Sequence, residues 1–371
     1  MHELLADGIP ELALHSLFTR SGWDLAWKVE MSERIHPVSF AVGTDLYRNL
    51  WGRPCHDWRK ASRIIRYCRE NNIKVVILNG YASLVSARIL RWCRRQGIPV
   101  FVRSDSNIKC DSSRGVILSW LKRRIVTWLV SQCDGVMPMG RLGAEYYKRY
   151  GATTDRLFWS PSIPDYEMFA DVPEEKTAEF MSKEGLDADR RRILFCGRLN
   201  RAKRVDLLLD AFARIAVDRP EWDLIIAGGG PLEDELRKRL REDLADRVKW
   251  LGFRQWEDLP PAYAVSDVFV LPSDFEPWAL VVIEAMAAGL AVIASDIVQA
   301  AHEICEDGVS GRLFKAGSVD SLTEALLEVT DLDNLRQYKK RASPALARWR
   351  EQRDPVDWTR RALASVGLIS A

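Results

Sequence analysis

The sequence of 371 residues has little of what marks secreted or metal-binding proteins. Its seven cysteines are an odd number, and no two of them have C-x-x-C spacing. Neither a disulfide framework nor a zinc site is therefore indicated, and we expect reduced core thiols in a cytoplasmic protein. The first residues include Glu3 and Asp7 in place of a basic segment and an apolar core, so no signal peptide is predicted.

Long hydrophobic runs and metal-binding motifs are also scarce. The longest near-apolar run, residues 279–295, is interrupted by Glu284 and Gly289 and is short for a bilayer span. Two D-x-D spacings, at residues 187–189 and 331–333, fall between predicted elements and are interpreted as solvated charge. We therefore predict no membrane-spanning helix and no metal site.

Charge is nearly balanced overall but uneven along the chain. The net charge is +2, with +9 in residues 1–170 and −7 in the remainder. A basic first half indicates contact with an anionic surface. The sequence contains no nucleic-acid recognition motif. The expected partner of the first half is therefore an anionic surface, such as the inner face of a membrane contacted peripherally, and not a nucleic acid.

Residues 116–132 (VILSWLKRRIVTWLVSQ) predict a helix with two interpretations. The segment carries Trp120, Trp128 and many aliphatic residues around a Lys-Arg-Arg triplet. One interpretation is a core helix with a basic face. The other is an interfacial helix that docks on anionic lipid.

Short apolar runs alternate with amphipathic segments along the chain. A helix at residues 11–20 and a strand at residues 24–30 are predicted first. Further strands are predicted at residues 75–78, 99–102, 134–137, 192–196, 223–227, 248–253, 268–271 and 291–294. This alternation is typical of parallel sheets covered by helices on both faces. The length allows two domains, and the polar stretch at residues 171–191 is the predicted linker.

Residues 268–295 place two glutamates in largely apolar sequence. The pattern predicts a strand, a polar loop with Ser273 and Glu276, a helix over residues 277–288, and a second strand. Glu284 then lies in a buried helix, where a carboxylate is costly unless it is bonded. Its partner is either a cation of the fold or the vicinal hydroxyls of a ligand, such as a ribose. The amides of the first helical turn are available to a phosphate or sugar oxygen.

A second candidate site follows a buried strand in the second half of the chain. Gly197, Arg198 and Lys203 lie at the carboxyl edge of the predicted parallel sheet, where open α/β folds bind ligands. An arginine fork and a lysine point charge suit an anionic ligand such as a phosphate. Arg201 and Arg204 are interpreted as ordinary surface charge.

The glutamate-containing stretch resembles a known family, the GT-B retaining glycosyltransferases of family 4, or glycosyl transferases group 1. The segment from Glu276 to Glu284 is similar to the motif E-P-F-G-L-x-x-x-E, with Trp278 and Ala279 in place of Phe and Gly. If the backbone there must approach the sugar closely, the methyl group of Ala279 tightens the donor pocket.

Further segments carry the same resemblance. Residues 197–203 match G-R-L-x-x-x-K, and residues 303–314 are similar to E-x-I-x-D-G-x-x-G-x-L-F except at Cys305. The glycine run at residues 228–230 is by itself a weak phosphate signal. Its position in the family pattern implies that it borders the nucleotide pocket, and the turn at Phe253 resembles the one that contacts the nucleobase.

The resemblance implies an α/β protein with two doubly wound Rossmann-like domains facing each other across a cleft. The acceptor-binding domain is predicted at residues 1–165, the nucleotide-sugar-binding domain at residues 166–345, and a helix crossing back to the first domain at residues 346–371. The family's opening strand and Gly-rich loop have no evident counterpart. Either the chain starts after that strand, so that the first strand of the first domain is missing, or the sheet of this domain is rebuilt. Asp105 takes a position where the family often has His, and we expect it to contact donor sugar or acceptor.

The implied catalytic residues are Arg198, Lys203, Glu276 and Asp105. The implied donor-binding residues are Gly197, Gly229, Gly230, Phe253, Ser273, Trp278, Ala279, Leu280 and Glu284. The implied reaction moves a sugar, with retention, from a UDP- or GDP-sugar to a glycan or lipid-linked acceptor of cell-surface polysaccharide biosynthesis, without a metal or other cofactor. A catalytically silent GT-B scaffold subunit and a GT-B nucleotide-sugar epimerase remain alternatives.

Overall fold

The computed structural model describes residues 1–18, 35–40, 53–81, 83–111 and 116–370. Its internal contacts divide the chain into two compact units. The first unit comprises Met1–Pro161 and Arg353–Ala371, and the second comprises Ser162–Gln352. The end of the chain therefore belongs to the same unit as its beginning.

Parallel strands form the centre of the first unit. Strands β1 (Leu17–Phe18) and β2 (Val38–Ser39) pair with each other. Strands β3 (Val76–Asn79), β4 (Val100–Ser104) and β5 (Gly135–Pro138) form a separate parallel sheet in that order. All of β5 and most of β4 are buried, as expected for continuous apolar runs covered on both faces.

Five helices of the described residues accompany these strands. They are α1 (His2–Gly8), α2 (Arg53–Glu70), α3 (Leu84–Gln96), α4 (Val116–Gln132) and α5 (Arg141–Arg149). The start of α3 is capped by the hydroxyl of Ser83, which accepts from the Ser86 amide, and its end by Gly97 at φ 69°. Local sequence therefore sets both ends of this helix.

The second unit contains a six-stranded parallel sheet in the order β11-β10-β9-β6-β7-β8. The strands are β6 (Arg191–Cys196), β7 (Trp222–Ala227), β8 (Val248–Gly252), β9 (Val268–Leu271), β10 (Ala291–Ser295) and β11 (Arg312–Phe314). Every residue of β7, β9 and β10 is buried. The α/β class and the positions of the predicted strands in this unit are confirmed, with ends that differ by a residue.

The helices of the second unit are mostly short. They are α6 (Tyr166–Ala170), α7 (Glu174–Glu184), α8 (Val205–Ile215), α9 (Glu233–Arg239), α10 (Pro260–Ala264), α11 (Leu280–Ala287), α12 (Gln299–Ile304), α13 (Val319–Val329) and α14 (Leu332–Gln352). After the second unit, α15 (Pro355–Ser365) packs against α1 in the first unit.

The strand order of the second unit creates a switch point beside β6. From β6 the chain continues to β7 and β8 on one side, and then to β9, β10 and β11 on the other. The loops that leave β6 and β9 therefore diverge at the carboxyl edge of the sheet. Open α/β sheets bind their ligands at such a point.

Two predictions about local structure are wrong in the described residues. Residues 11–18 contain no helix, because the first helix is α1 and β1 follows it. Strand β1 (Leu17–Phe18) instead lies within the segment predicted as a helix. Residues 171–191, predicted as a linker, contain α7, whose end is set by Gly185 at φ 63°. The strand predicted at residues 24–30 lies outside the described residues.

Candidate functional site

Most of the predicted site residues lie at the carboxyl edge of the six-stranded sheet of the second unit. Gly197, Arg198 and Lys203 follow β6, Gly229 and Gly230 follow β7, Phe253 follows β8, and Ser273 and Glu276 follow β9. Because all these strands are parallel, their carboxyl ends meet at one edge. Residues far apart in the sequence therefore form a single candidate site.

Backbone hydrogen bonds join the loops after β6, β7 and β8. The amide of Gly197 donates to Ala227 at 2.9 Å, that of Gly228 donates to Gly252 at 2.9 Å, and that of Leu199 donates to Gly229 at 3.0 Å. These backbone hydrogen bonds hold the three loops together at the carboxyl edge of the sheet.

Two glycines make this close approach possible. A Cβ atom at Gly228 would overlap the carbonyl oxygen of Gly197, and one at Gly230 would overlap that of Leu199. Gly228 also has φ 143°, which an L-residue adopts only under strain. At Gly229 a Cβ atom would have ordinary contacts, 3.5 Å from the Cβ of Phe253. The close packing of this glycine run therefore depends on Gly228 and Gly230.

Lys203 and Glu276 form an ion pair between the β6 and β9 loops. Both side chains are largely buried, with 19% of Lys203 and 11% of Glu276 exposed. The hydroxyl of Ser273 lies 3.4 Å from the same carboxylate oxygen. The structure thus brings together three of the predicted site residues.

Arg198 precedes Lys203 by five residues in the sequence but has a different environment. Its side chain is exposed, and it makes no hydrogen bond or ion pair with any residue that the structure describes. A guanidinium group in this state offers a full set of donors to an anion.

Arg204, interpreted from sequence as surface charge, also joins the two loops. Its Nη1 lies 2.6 Å from Asp274 Oδ2, and its Nε donates to Asp206 Oδ1 at 3.1 Å. The amide of Asp274 donates to the carbonyl of Ala202 at 2.8 Å. Hydrogen bonds to the two carboxylates raise the pKa of Arg204. Arg204 is one of several cations in this stretch of the sequence, and no sequence pattern distinguishes it as the residue that bridges the two loops.

Glu284 lies inside α11 with its side chain buried. Tyr263 donates a hydrogen bond of 2.7 Å to Glu284 Oε2. Burial raises the pKa of Glu284 to about 7, and the hydrogen bond from Tyr263 acts in the opposite direction. No Lys or Arg of the described residues forms an ion pair with this carboxylate. Of the two partners left open by the sequence, a cation of the fold is excluded within the described residues.

The helix that carries Glu284 begins later than predicted. The sequence placed its start at Pro277, whereas α11 begins at Leu280. Ala279 precedes it with φ 82° and ψ 82°, in the left-handed region. The family pattern has Gly here, and the backbone conformation supplies a reason, since Gly has no Cβ penalty at positive φ.

The side chains of Trp278 and Leu280 lie in different surroundings. The indole of Trp278 is buried, donates to the carbonyl of Ser162 at 2.8 Å, and lies 6.1 Å from the ring of Trp349. Leu280 is 37% exposed. Trp278 therefore anchors the loop through its side chain, while the first amides of α11 remain the candidates for binding a donor oxygen.

Asp105 belongs to the first unit and comes directly after β4. Its side chain is exposed. Among the described residues, no group of three or more His, Cys, Asp or Glu side chains is arranged to hold a metal ion. None of the described helices combines the length and apolarity needed to cross a bilayer.

Comparison with known proteins agrees with this geometry. The model of the family "Glycosyl transferases group 1" matches residues 176–345. Over 194 residues the chain is 34% identical to the phosphatidyl-myo-inositol mannosyltransferase of Mycolicibacterium smegmatis, which covers 51% of this chain and 47% of that protein. It is 32% identical over 180 residues to a GDP-mannose-dependent monoacylated alpha-(1-6)-phosphatidylinositol monomannoside mannosyltransferase of Corynebacterium glutamicum, covering 46% of each.

The matched segments span about half the length of these curated relatives. Among solved structures, Anabaena Alr3699/HepE in complex with UDP and glucose aligns with a TM-score of 0.74 and 19% identity, covering 99% of this chain and 96% of that one. This likeness concerns the fold.

Two Rossmann-like units with parallel sheets, and a switch point in the strand order of the second, are the features of the GT-B fold. Residues 176–345, less than half of the chain, are similar to the glycosyl transferases group 1 family.

Proposed function

We propose that this protein is a retaining glycosyltransferase that moves a sugar from a UDP- or GDP-sugar to a glycan or lipid-linked acceptor in cell-surface polysaccharide biosynthesis. The observation that carries the proposal is the carboxylate of Glu284, which is buried close to Cys196 at the end of β6 and has a tyrosine hydroxyl as partner in place of a cation. An ionised carboxylate has several acceptor sites, and the bond from Tyr263 leaves others that can accept from the vicinal hydroxyls of a ribose.

The diphosphate of the donor would meet Arg198 and Lys203. Arg198 is exposed, whereas Lys203 is paired with Glu276. Phosphate oxygens would compete for Lys203 and release Glu276, whose carboxylate then accepts from hydroxyls of the donor sugar. Both cations would stabilise the charge that develops on the departing diphosphate. This exchange of partners couples donor binding to the arrangement of the sugar site.

The proposed donor carries either uracil or guanine as its base. One relative is named as GDP-mannose-dependent, and the HepE structure contains UDP. The turn after β8 at Phe253 would contact the base through its backbone. No resident cofactor or metal is part of the proposed reaction, which relies on the two cations for charge stabilisation.

The acceptor side of the proposal rests on the first unit. We place Asp105 there as a contact to donor sugar or acceptor, and we place the protein in the cytoplasm, in peripheral contact with the inner face of the membrane. The names of the two mannosyltransferases describe phosphatidylinositol-based acceptors for those proteins. An acceptor linked to lipid would account for the basic character of residues 1–170.

Calorimetry with UDP and GDP, without divalent metal, tests the donor site. We expect one of the two nucleotides to bind the wild type tightly. Glu284→Ala should weaken this binding about 10- to 100-fold, because it removes hydrogen bonds to a charged group. Glu324→Ala, which removes an exposed carboxylate from α13 of the same unit, should leave it unchanged.

Three outcomes would contradict the proposal. Binding of neither nucleotide would leave the donor site without support. Binding without turnover on any lipid-linked acceptor would favour a scaffold subunit. Conversion of the donor sugar in the absence of an acceptor would favour an epimerase. The anomeric proton signal of the product in NMR decides whether the configuration is retained.

A further inference from the structure

Helix α4 of the first unit exposes an unusual number of large apolar side chains. The α4 ridge, as we name it, consists of Val116, Ile117, Leu118, Trp120, Leu121, Ile125 and Trp128. Ile117 is 80% exposed, Trp120 61%, and Leu121 and Trp128 46% each. Contiguous exposed apolar surface of this kind marks an interaction site.

The ridge is not needed to hold α4 in the fold. The opposite side of the helix buries Val126, Leu129 and Val130 in the core of the first unit. Ile117, Leu121 and Trp128 follow one another at spacings of four and seven residues, which places them along a single face of the helix. Helix α4 therefore has one apolar face in the core and another exposed.

Positive charge surrounds the ridge. Helices α3 and α4 together contain seven Arg and Lys residues and no Asp or Glu. The guanidinium of Arg124 lies 5.6 Å from the centre of the Trp120 ring, among the exposed apolar side chains. Trp and Arg on one exposed helix face are typical of helices that lie in the interface of an anionic membrane.

A cavity of 290 Å³ next to the ridge has the chemistry of an anion site. It is lined by Leu90, Arg91, Arg94 and Arg95 of α3 and by Trp128 and Gln132 of α4. Arg94 lies 3.6 Å from Asp134. Arg91 and Arg95 form no ion pair with any residue in the described part of the chain. The cavity thus offers two uncompensated guanidinium groups beside an exposed tryptophan.

We propose that the α4 ridge inserts into the interfacial region of an anionic bilayer and that Arg91 and Arg95 hold the phosphate of a lipid headgroup in the adjacent cavity. This inference deepens the membrane contact of the proposed function and does not depend on the donor chemistry. Guanidinium groups bind phosphate oxygens through two parallel hydrogen bonds. The aliphatic side chains and indole rings of the ridge contact the acyl chains of the lipids, while the two arginines contact the phosphate.

Charge favours the bilayer over other occupants of this face. A second copy of the chain would place the cations of α3 and α4 against the same cations, which is repulsive. A nucleic acid would satisfy the cations but offers little to the aliphatic side chains of the ridge. An anionic bilayer provides both negative phosphates for the cations and an apolar layer for the ridge.

Vesicle flotation with the full-length protein tests the inference. The wild type should float with vesicles of phosphatidylcholine and phosphatidylglycerol and should not float with phosphatidylcholine alone. Ile117→Ser combined with Leu121→Ser removes apolar contact without changing charge, and should reduce binding at least about tenfold. Arg91→Gln combined with Arg95→Gln should do the same through the loss of two phosphate contacts.

The control is Lys340→Gln combined with Arg341→Gln, which removes two exposed cations from α14 of the second unit and should leave flotation unchanged. The thermal unfolding midpoint should be the same in all variants, since every substituted side chain is exposed. Flotation that is absent in the wild type, or insensitive to either double substitution, would overturn the inference.

Two further results would assign the face to another occupant and also overturn the inference. One is a concentration-dependent dimer that the Ile117 and Leu121 substitutions dissociate. The other is complete displacement from vesicles by inorganic phosphate at constant ionic strength, which would assign the cavity to a soluble phosphate. Nucleotide calorimetry on the same variants separates these outcomes from a failure of the proposed donor site.

Discussion

The carboxyl group of Glu284 shows how a single residue is set by its surroundings. Its pKa of about 7 lies above the ordinary value of 4.5 because burial penalises the charged form. A raised carboxyl pKa favours the folded state while the group is protonated. Its contribution to stability is therefore fully present below about pH 4.5 and is lost as the pH rises through about 7.

Nucleotide binding should show the opposite dependence on pH. Only the ionised carboxylate of Glu284 accepts from two ribose hydroxyls, so affinity should rise as the pH increases through about 7. Tyr263→Phe removes the hydrogen bond that lowers this pKa and should move the midpoint to higher pH. Calorimetry across pH measures the shift. Tyr338→Phe is the matched control, because that hydroxyl donates to the carboxylate of Glu328 on α13. An unshifted midpoint in Tyr263→Phe would contradict this account.

Ala279 is a second residue whose effect can be separated from its neighbours. The left-handed conformation costs an alanine about 1–2 kcal/mol, and part of this is offset by the greater entropy loss of glycine. Ala279→Gly should therefore raise the free energy of unfolding by about 0.5–1 kcal/mol, measured from urea unfolding of the full chain. Ala288→Gly, at the other end of α11 with φ −74°, should lower it by a similar amount. The reverse order of stabilities would show that the backbone at Ala279 is not strained.

At the level of elements, the loops after β6, β7 and β8 behave as one assembly. Their backbones pass so close that the side chain of an alanine cannot fit at Gly228. Gly228→Ala should destabilise the second unit by about 2–3 kcal/mol and weaken nucleotide binding, because the β6 loop must move. Gly229→Ala adds a methyl group with ordinary contacts and should change stability by less than about 1 kcal/mol. Urea unfolding and calorimetry on both variants provide the measurement, and equal effects would contradict the packing argument.

Elements with strong local signals were predictable. The apolar runs of β6, β7, β9 and β10 are buried strands, and α4 has the predicted bounds. The start of α11 was missed, because Pro277 is a good first residue of a helix and nothing local shows that Trp278 is drawn into the core. Because the indole packs in the core, the helix begins three residues later than the sequence predicts.

The whole molecule consists of two units, and the first is closed by the end of the chain. Arg360 of α15 donates to the carbonyl of Gly8 at 3.1 and 2.9 Å, and its Nη1 lies 2.7 Å from a carboxylate oxygen of Glu11. Residues at the two ends of the sequence thus depend on each other within this unit.

Arg360→Ala should loosen α1 and α15 while leaving the second unit unchanged. The substitution removes a charged partner from a carbonyl and a carboxylate, which typically costs about 1–3 kcal/mol. Hydrogen exchange followed by mass spectrometry should show faster exchange in both helices and no change in β6, β7 and β9. Arg348→Ala, an exposed cation of α14 in the second unit, is the control. Faster exchange in the second-unit strands would mean that the units are not independent.

The sequence by itself determined the α/β class, most strands of the second sheet, and the segments that meet at its carboxyl edge, because apolar periodicity and glycine positions are local properties. It also singled out Glu284, since a carboxylate in an apolar helix needs an explanation. Only the tertiary structure decided the partners: Tyr263 for Glu284, Glu276 for Lys203, and Asp274 for Arg204. These pairs join residues 21 to 73 positions apart, and their contacts depend on how strands are ordered in the sheet, which no local pattern records.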